Sequence, residues 1–440
     1  MRLKAVLAAG TVAGIVCAAA ALAYAWHTEI AAIETPDAAS FEPALVQRGS
    51  QLALIGDCKT CHTAPGGRVF AGGLAMPTPF GTLYSTNITP DRETGIGAWS
   101  QAAFERAMRQ GVDRQGRHLY PALPYDHFTL VSDADTKALY AYFMTRQPVR
   151  ATAPANELPF PINIRLVLAG WKLLFFREQR FAPTAGKDEQ WNRGRYLVEG
   201  LGHCGACHTP RNLMGAEEKS RAFEGGEAEG WHAFALGKAS QAPVRWNATS
   251  LQRYLADGFD ADHGGARGPM EPVVENLSQV PREEVAAIAA YLASLAPADD
   301  DTPRPEAAAI TAPSVPQSAG LQVATPGQAP DLGARLYANA CASCHESGRA
   351  LPLGGVPLAL STAVAGESPE NLLNLILNGI PAFDSTRKPI MPSFGVVMSD
   401  EQVVALARHL RTKLAGRPGW PMLEQAVGKA RAAQIAARQK

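Results

Sequence analysis

This chain has no excess charge of either sign: 41 basic and 41 acidic residues among 440 leave a net charge of zero. That balance offers no basic footprint for nucleic acid. Aromatic residues are few, at 7%, and alanine is plentiful, which favours small helical modules over large sheets. The sequence lacks a GxxxxGKS/T phosphate loop, an HExxH pair and an EF-hand calcium loop. No Ser/His/Asp arrangement or paired carboxylates stand out, so no catalytic residue is assigned and no substrate-oxidising site is expected in the chain itself. What is present is hydrophobic content of 46%, enough for packed cores and too much for a disordered chain. The length suits about three domains.

Cysteine is sparse but patterned. Six of the seven cysteines form three CxxC pairs, Cys58/Cys61, Cys204/Cys207 and Cys341/Cys344, and each pair is followed at once by a histidine: His62, His208 and His345. Two thiols three positions apart lie on one helical turn, where each can add to a vinyl group of a haem. The adjacent histidine then reaches the iron as fifth ligand. One such motif fits a redox or zinc site as well; three, each within a repeated module, specify covalent attachment of three c-type haems. Cys17 stands apart in the apolar N-terminus. Val16 precedes it where a lipidation signal needs a small residue, so it reads as a small side chain in a membrane helix.

The N-terminus carries Arg2 and Lys4, and then runs without charge from Ala5 to Trp26. That run exceeds the apolar core of about 7–15 residues in a cleaved signal and matches the roughly 20 needed to span a bilayer. An uncleaved anchor over residues 1–28 is expected, although Ala23-Tyr24-Ala25 resembles a cleavage site. Positive charge ahead of the span sets the remainder outside the cytoplasm.

Three modules follow, over residues 41–150, 186–297 and 331–415. Each opens with a short helical pattern (QRGSQLALIGDC, NRGRYLVEGLGHC, LGARLYANAC), continues through CxxCH and a long irregular Gly/Pro-rich stretch, and closes with an amphipathic helix. The closing helices read DADTKALYAYFM, PREEVAAIAAYLASL and SDEQVVALARHLRTKL. Ser132 and Ser399 are suited to N-caps, Ser399 with Gln402 as a capping box, and Pro281 to the first helical position. Tyr142, Tyr291 and His409 fall at matching places. Residues 298–330, rich in Pro, Ala and Asp, read as an extended linker. Within the connector, residues 151–185, Leu166 to Phe176 is too short to span a membrane and is interrupted by Lys172. It reads as a buried connecting helix or as a segment facing the membrane interface or a partner, with Trp171 and Arg177 as anchors. The basic tail, 416–440, reads as a solvated helix.

A sixth ligand decides between electron transfer and ligand chemistry. Met270 lies 62 residues after His208, and Met391 lies 46 after His345; each precedes its closing helix, as a distal ligand should. Met398, beside a helix cap, is the rival in the third module. In the first module the corresponding place, 61 residues after His62, is Leu123, which cannot bind iron. His127, four residues on, is the expected replacement. His118, Met108, Met76, a water or an open site are the alternatives.

The runs PTPFGTLYSTNITPDRETGIGAWS, HLYPALPY and NRGRYLVEGLGHCGACHTPRN resemble the three-haem cytochrome c subunit of bacterial membrane-bound dehydrogenases, from about Phe41 to Leu414. The resemblance implies a mainly α chain of three tandem class I cytochrome c domains after an N-terminal membrane helix. It also implies that electrons pass from a catalytic partner to ubiquinone or a terminal oxidase. The branch serving quinoprotein alcohol dehydrogenases typically has Met where Leu123 stands. With PYDHF and PFPINIRLVLAGWKLLFF this chain looks like the branch serving molybdenum-containing aldehyde or nicotinate-type dehydrogenases, in which His appears at the place of His127. The partners so implied are a molybdopterin-containing catalytic subunit and a small iron–sulfur subunit. The alternatives are a quinoprotein alcohol dehydrogenase partner and, further off, peroxide chemistry at an open first haem.

Overall fold

The computed structural model describes residues 22–296, 331–349, 354–381 and 390–438, with Val16 and Ala19. The chain divides into two compact units, Met1–His203 and Cys204–Lys440. Both are mainly helical. Among the described residues the only sheets are three two-stranded antiparallel ladders.

In the first unit, α1 (Pro43–Ile55) is followed by the hairpin β1 (Ala75–Thr78) and β2 (Gly81–Tyr84) and by α2 (Gln101–Gln110), α3 (Asp133–Met144), α4 (Leu168–Phe175) and α5 (Glu189–Tyr196). Helix starts follow side-chain chemistry. Pro43 stands in the first turn of α1, the Ser100 hydroxyl accepts from Ala103 N, and Ser132 accepts from Asp135 N as expected. Helices α1 and α3 pack closely because Gly49 has no side chain. A Cβ there would lie 2.0 Å from the Ala138 carbonyl oxygen and 2.7 Å from Tyr142 Cβ. Leu52, Phe104, Leu139 and Phe143 fill the core around this crossing.

The second unit holds β3 (Gly226–Ala228) and β4 (Trp231–Ala233), then α6 (Ala248–Asp257), α7 (Met270–Leu277), α8 (Arg282–Ala293), α9 (Leu332–Ala340), α10 (Glu370–Asn378), α11 (Asp400–His409) and α12 (Leu423–Arg438). The expected capping box of Ser399 and Gln402 starts α11. Pro281 is the cap of α8, one position before the expected first turn. Gly333 repeats the close crossing: a Cβ there would lie 2.3 Å from the Ala405 carbonyl oxygen and 2.6 Å from His409 Cβ. Tyr142 and His409 therefore occupy the same structural place.

Three features differ from the sequence reading. The Gly/Pro-rich stretches of the first two modules are not irregular throughout, since each contains a hairpin. The basic tail forms a helix but is not solvated all round: Trp420, Leu423 and Val427 join the core of α9–α11, and Gln434 is buried. Leu423 and Val427, four apart, make an apolar stripe that surrounding basic residues mask in the composition. The connector, finally, is two-faced. Leu168, Ala169 and Lys172 are buried, whereas Phe160, Leu173 and Leu174 are 79%, 55% and 62% exposed. The linker 298–330 lies outside the described residues, as does most of the expected anchor. No helix among the described residues is long and apolar enough to cross a membrane.

Lys172 does not merely interrupt an apolar run. Its Nζ donates to the carbonyl oxygens of Gln110 at 2.6 Å and Gly111 at 2.7 Å, capping the end of α2, and lies 4.7 Å from the Tyr125 ring centroid. Burial pushes its pKa down to about 7.

Two outcomes are expected. Gly49→Val should destabilise the first unit by about 3 kcal/mol or more, because α1 and α3 must separate, read as a lower urea midpoint. The second concerns pH. With the native Lys172 pKa at about 7 and the ordinary lysine value at 10.5, the unfolded chain binds more protons between these limits. The Lys172 contribution to stability therefore rises across that window and is lost as pH falls through about 7. The difference in urea midpoint between wild type and Lys172→Met should change over this range, and parallel pH profiles would contradict it.

Candidate haem centres

Each CxxCH motif folds as a single helical turn, Cys58–Cys61, Gly205–His208 and Ala342–His345. A turn of this kind brings residues three apart to one side. None of the three pairs is a disulfide; all six cysteines are thiols. Burial pushes the Cys58 and Cys204 thiols up to about 12 and Cys341 up to about 11. Redox-active CxxC pairs need the opposite, a lowered thiol pKa.

The three histidines share one arrangement. Nδ1 meets a backbone carbonyl oxygen in each case: His62 that of Thr86 at 2.7 Å, His208 that of Phe234 at 2.6 Å and His345 that of Val356 at 2.8 Å. A carbonyl can only accept, so Nδ1 carries the proton and Nε2 keeps its lone pair. Among the described residues Nε2 of these rings has no hydrogen-bond partner. Burial lowers the pKa of all three rings, which favours the neutral imidazole. A metal-bound histidine needs this combination, with one nitrogen held by an acceptor and the other offered as a ligand. Two thiols and one such imidazole per motif fit a c-type haem.

The carbonyl arrives by different routes. In the first two modules it lies 24 and 26 residues beyond the histidine, after the hairpins β1–β2 and β3–β4. Thr63 and Thr209 fix these loops, each accepting with its hydroxyl from the amide of Phe70 or Phe223. In the third module the carbonyl comes 11 residues on. There Gly355 lies against the ring: a Cβ would be 2.7 Å from His345 Nδ1. Sequence reasoning missed all three carbonyls of this support, those of Thr86, Phe234 and Val356, because a backbone acceptor leaves no side-chain signature.

On the distal side, Met270 is the first residue of α7 and is partly buried. Met391 is held by a two-way backbone bridge to Ile380, with N–O distances of 2.7 and 3.0 Å. Its rival Met398 is buried in the module core. In the first module Leu123 sits in a tight turn, its amide bonded to the Tyr120 carbonyl. His127 follows on the turn Tyr125–Phe128; it is buried, and its Nδ1 lies 2.7 Å from the Glu199 carbonyl oxygen. This repeats the Nδ1-to-carbonyl contact of the three motif histidines. His118 is engaged elsewhere, with Nε2 2.9 Å from the Ala25 carbonyl oxygen and its ring edge-on to His27. Burial, then Lys172, lowers its pKa to about 4. Met76 lies on β1 opposite Leu83, and Met108 lies on α2.

Comparison with known proteins agrees with this chemistry. The family model for cytochrome c oxidase, cbb3-type, subunit III matches residues 328–410, which covers most of the third module. One of the subunits of nicotinate dehydrogenase from Pseudomonas putida is 46% identical over 431 residues, 96% of this chain but only 35% of that protein; the chain thus spans about a third of that relative. The gluconate 2-dehydrogenase cytochrome c subunit of Pantoea cypripedii is 40% identical over 84% of this chain and 85% of its own length. The fructose dehydrogenase cytochrome subunit of Gluconobacter japonicus is 36% identical over 85% and 80%. The chain belongs to the family of cytochrome c subunits of membrane-bound dehydrogenases that its motifs resemble.

Proposed function

We propose that the chain holds three covalently attached haem c groups and carries electrons through them on the periplasmic side of a bacterial inner membrane. The donor in this reading is a molybdopterin-containing catalytic subunit with a small iron–sulfur subunit, oxidising an aldehyde or an N-heteroaromatic ring. The acceptor is ubiquinone or a terminal oxidase. The observation that carries the reading is the threefold repetition of a thiol pair beside a histidine whose Nδ1 is tied to a carbonyl.

When bound, each haem supplies a one-electron ferric/ferrous couple. The chain's residues do the rest. Cys58 and Cys61, Cys204 and Cys207, and Cys341 and Cys344 anchor the groups as thioethers. His62, His208 and His345 present Nε2 in a fixed tautomer. Met270 and Met391 close the second and third sites with a thioether sulfur, which favours a higher potential than a nitrogen ligand does. His127 closes the first through Nε2, with its Nδ1 turned to Glu199.

The partner assignment is supported by Leu123 and by the 46% identity to the nicotinate dehydrogenase protein; the alternative is a quinone-linked alcohol dehydrogenase, whose cytochrome c subunit is 36% identical in Komagataeibacter europaeus. The membrane assignment is supported within the first unit. Leu22, Tyr24 and Trp26, at the end of the N-terminal apolar run, are exposed, as is one face of the connector. His118 ties the two together, since its ring meets the Ala25 carbonyl and its own carbonyl accepts from Arg165.

Low-temperature electron paramagnetic resonance with near-infrared magnetic circular dichroism tests the ligand set. One bis-histidine haem and two His/Met haems are expected, with the bis-histidine signal lost in His127→Ala. A high-spin first haem untouched by His127→Ala would overturn that ligation. Gly355→Ala should push the His345 ring off the Val356 carbonyl and deplete the third haem alone; an unchanged haem-to-protein ratio and spectrum would count against the site. In the purified complex, haem reduction by nicotinate or an aldehyde is expected, and reduction by alcohols alone would favour the alternative partner.

A further inference from the structure

We infer that the C-terminal helix α12 is a clamp on the third distal loop, with Arg431 and Gln434 as positioning residues for Met391; the inference rests on Met391 being an iron ligand. Helix α12 is seated by Leu423 and Val427 in the module core. From that seat Arg431 reaches the segment that follows Met391, and Gln434 reaches the end of α10 on which that segment rests. The Arg431 guanidinium spans three acceptors: Nη1 donates to the Gly395 carbonyl, Nη2 to the Met398 carbonyl at 2.8 Å and Nε to Asp400 Oδ1 at 2.8 Å. A planar fork is suited to holding several acceptors in one geometry. Gln434, buried, donates from Nε2 to the Leu377 carbonyl.

That carbonyl is where the loop is tied down. It also accepts from the Ser393 hydroxyl at 2.6 Å and from the Gly395 amide at 3.2 Å, while the Phe394 amide bonds to Ile376 O at 2.9 Å. The loop is thus pinned to the end of α10 just after Met391, and α12 covers the pin. Contact is so close that a Cβ at Gly395 would lie 2.1 Å from Gln434 Nε2. The same Cβ would lie 2.5 Å from the Leu377 carbonyl oxygen, so the backbone of α10 requires the glycine and the Gln434 amide packs onto it.

A thioether is a weak, neutral iron ligand, so its hold depends on the loop being in place before it binds. The donors of α12 supply that order. They address backbone carbonyls of residues 377, 395 and 398, so they fix the path of the chain rather than a side-chain conformation.

The test is carbon monoxide binding to the fully reduced full-length protein, which reports opening of the iron–sulfur bond. Met391→Ala identifies the third haem's signal, and its far-red sulfur-to-iron band should vanish. In Gln434→Ala, and more so in Arg431→Ala, carbon monoxide association at that haem should rise roughly tenfold, about 1.4 kcal/mol of loop opening, and its reduction potential should fall. The bands of the other haems should stay. If Met391→Ala leaves all sulfur-to-iron bands intact, the ligand assignment fails. If Met391→Ala removes a band but the Arg431 and Gln434 variants bind carbon monoxide no faster than wild type, the clamp fails. Faster binding only at urea concentrations that also unfold the module would likewise reduce α12 to a stabilising helix and overturn the clamp.

Discussion

The bond from a histidine Nδ1 to a backbone carbonyl governs most of what surrounds it. An imidazole on a short turn rotates freely and exchanges tautomers, and either nitrogen can meet a metal. One carbonyl at 2.6–2.8 Å removes both freedoms. It fixes the ring plane and sets Nε2 as the donor. The acceptor, however, belongs to a residue that is not adjacent in sequence, so the chain must loop out and return with its peptide plane correctly turned. The hairpins, the threonine hydroxyls on the Phe70 and Phe223 amides, and the absent side chain at Gly355 all serve that return.

This requirement also divides the modules. The first two meet it with a long excursion and share local geometry throughout: the residue before the first cysteine, Asp57 or His203, has φ of 51° or 38°, and Phe70 and Phe223 have φ of 64° and 63°. The third meets it within 11 residues. The C-terminal helix completes the core of this module with its apolar stripe. The family model that matches only residues 328–410 follows this division and ends before that helix begins.

What was legible in the sequence follows from how locally each feature is determined. The motif thiols and histidines and the closing helices with their serine caps depend on spacings of three or four residues, and α3 and α11 start where Ser132 and Ser399 indicate. The equivalence of Tyr142 and His409 was visible as a register within repeats, and Gly49 and Gly333 give it a cause, since each glycine lets a helix rest on that position. The carbonyl acceptors were invisible because any residue supplies one. Lys172 was read as an interruption because its partners, Gln110 and Gly111, lie about sixty residues away. The tail was misjudged by composition: many basic residues suggested solvation, but Arg431 spends its guanidinium on carbonyls.

The first module carries Leu123 and His127 on two successive turns. Leu123 lies in a turn fixed by its own backbone bonds to Tyr120 and Tyr125. The next turn, Tyr125–Phe128, is among the most constrained parts of the unit. Tyr125 is fully buried with the Lys172 ammonium over its ring, and Phe128 lies edge-on to His203. His203 in turn meets the Gly56 carbonyl just ahead of the first motif. In the proposed ligand set, an imidazole held in so rigid a turn needs little further ordering. An imidazole there would lower the first couple relative to the two thioether-closed ones, so electrons entering at the first haem would run downhill towards the others.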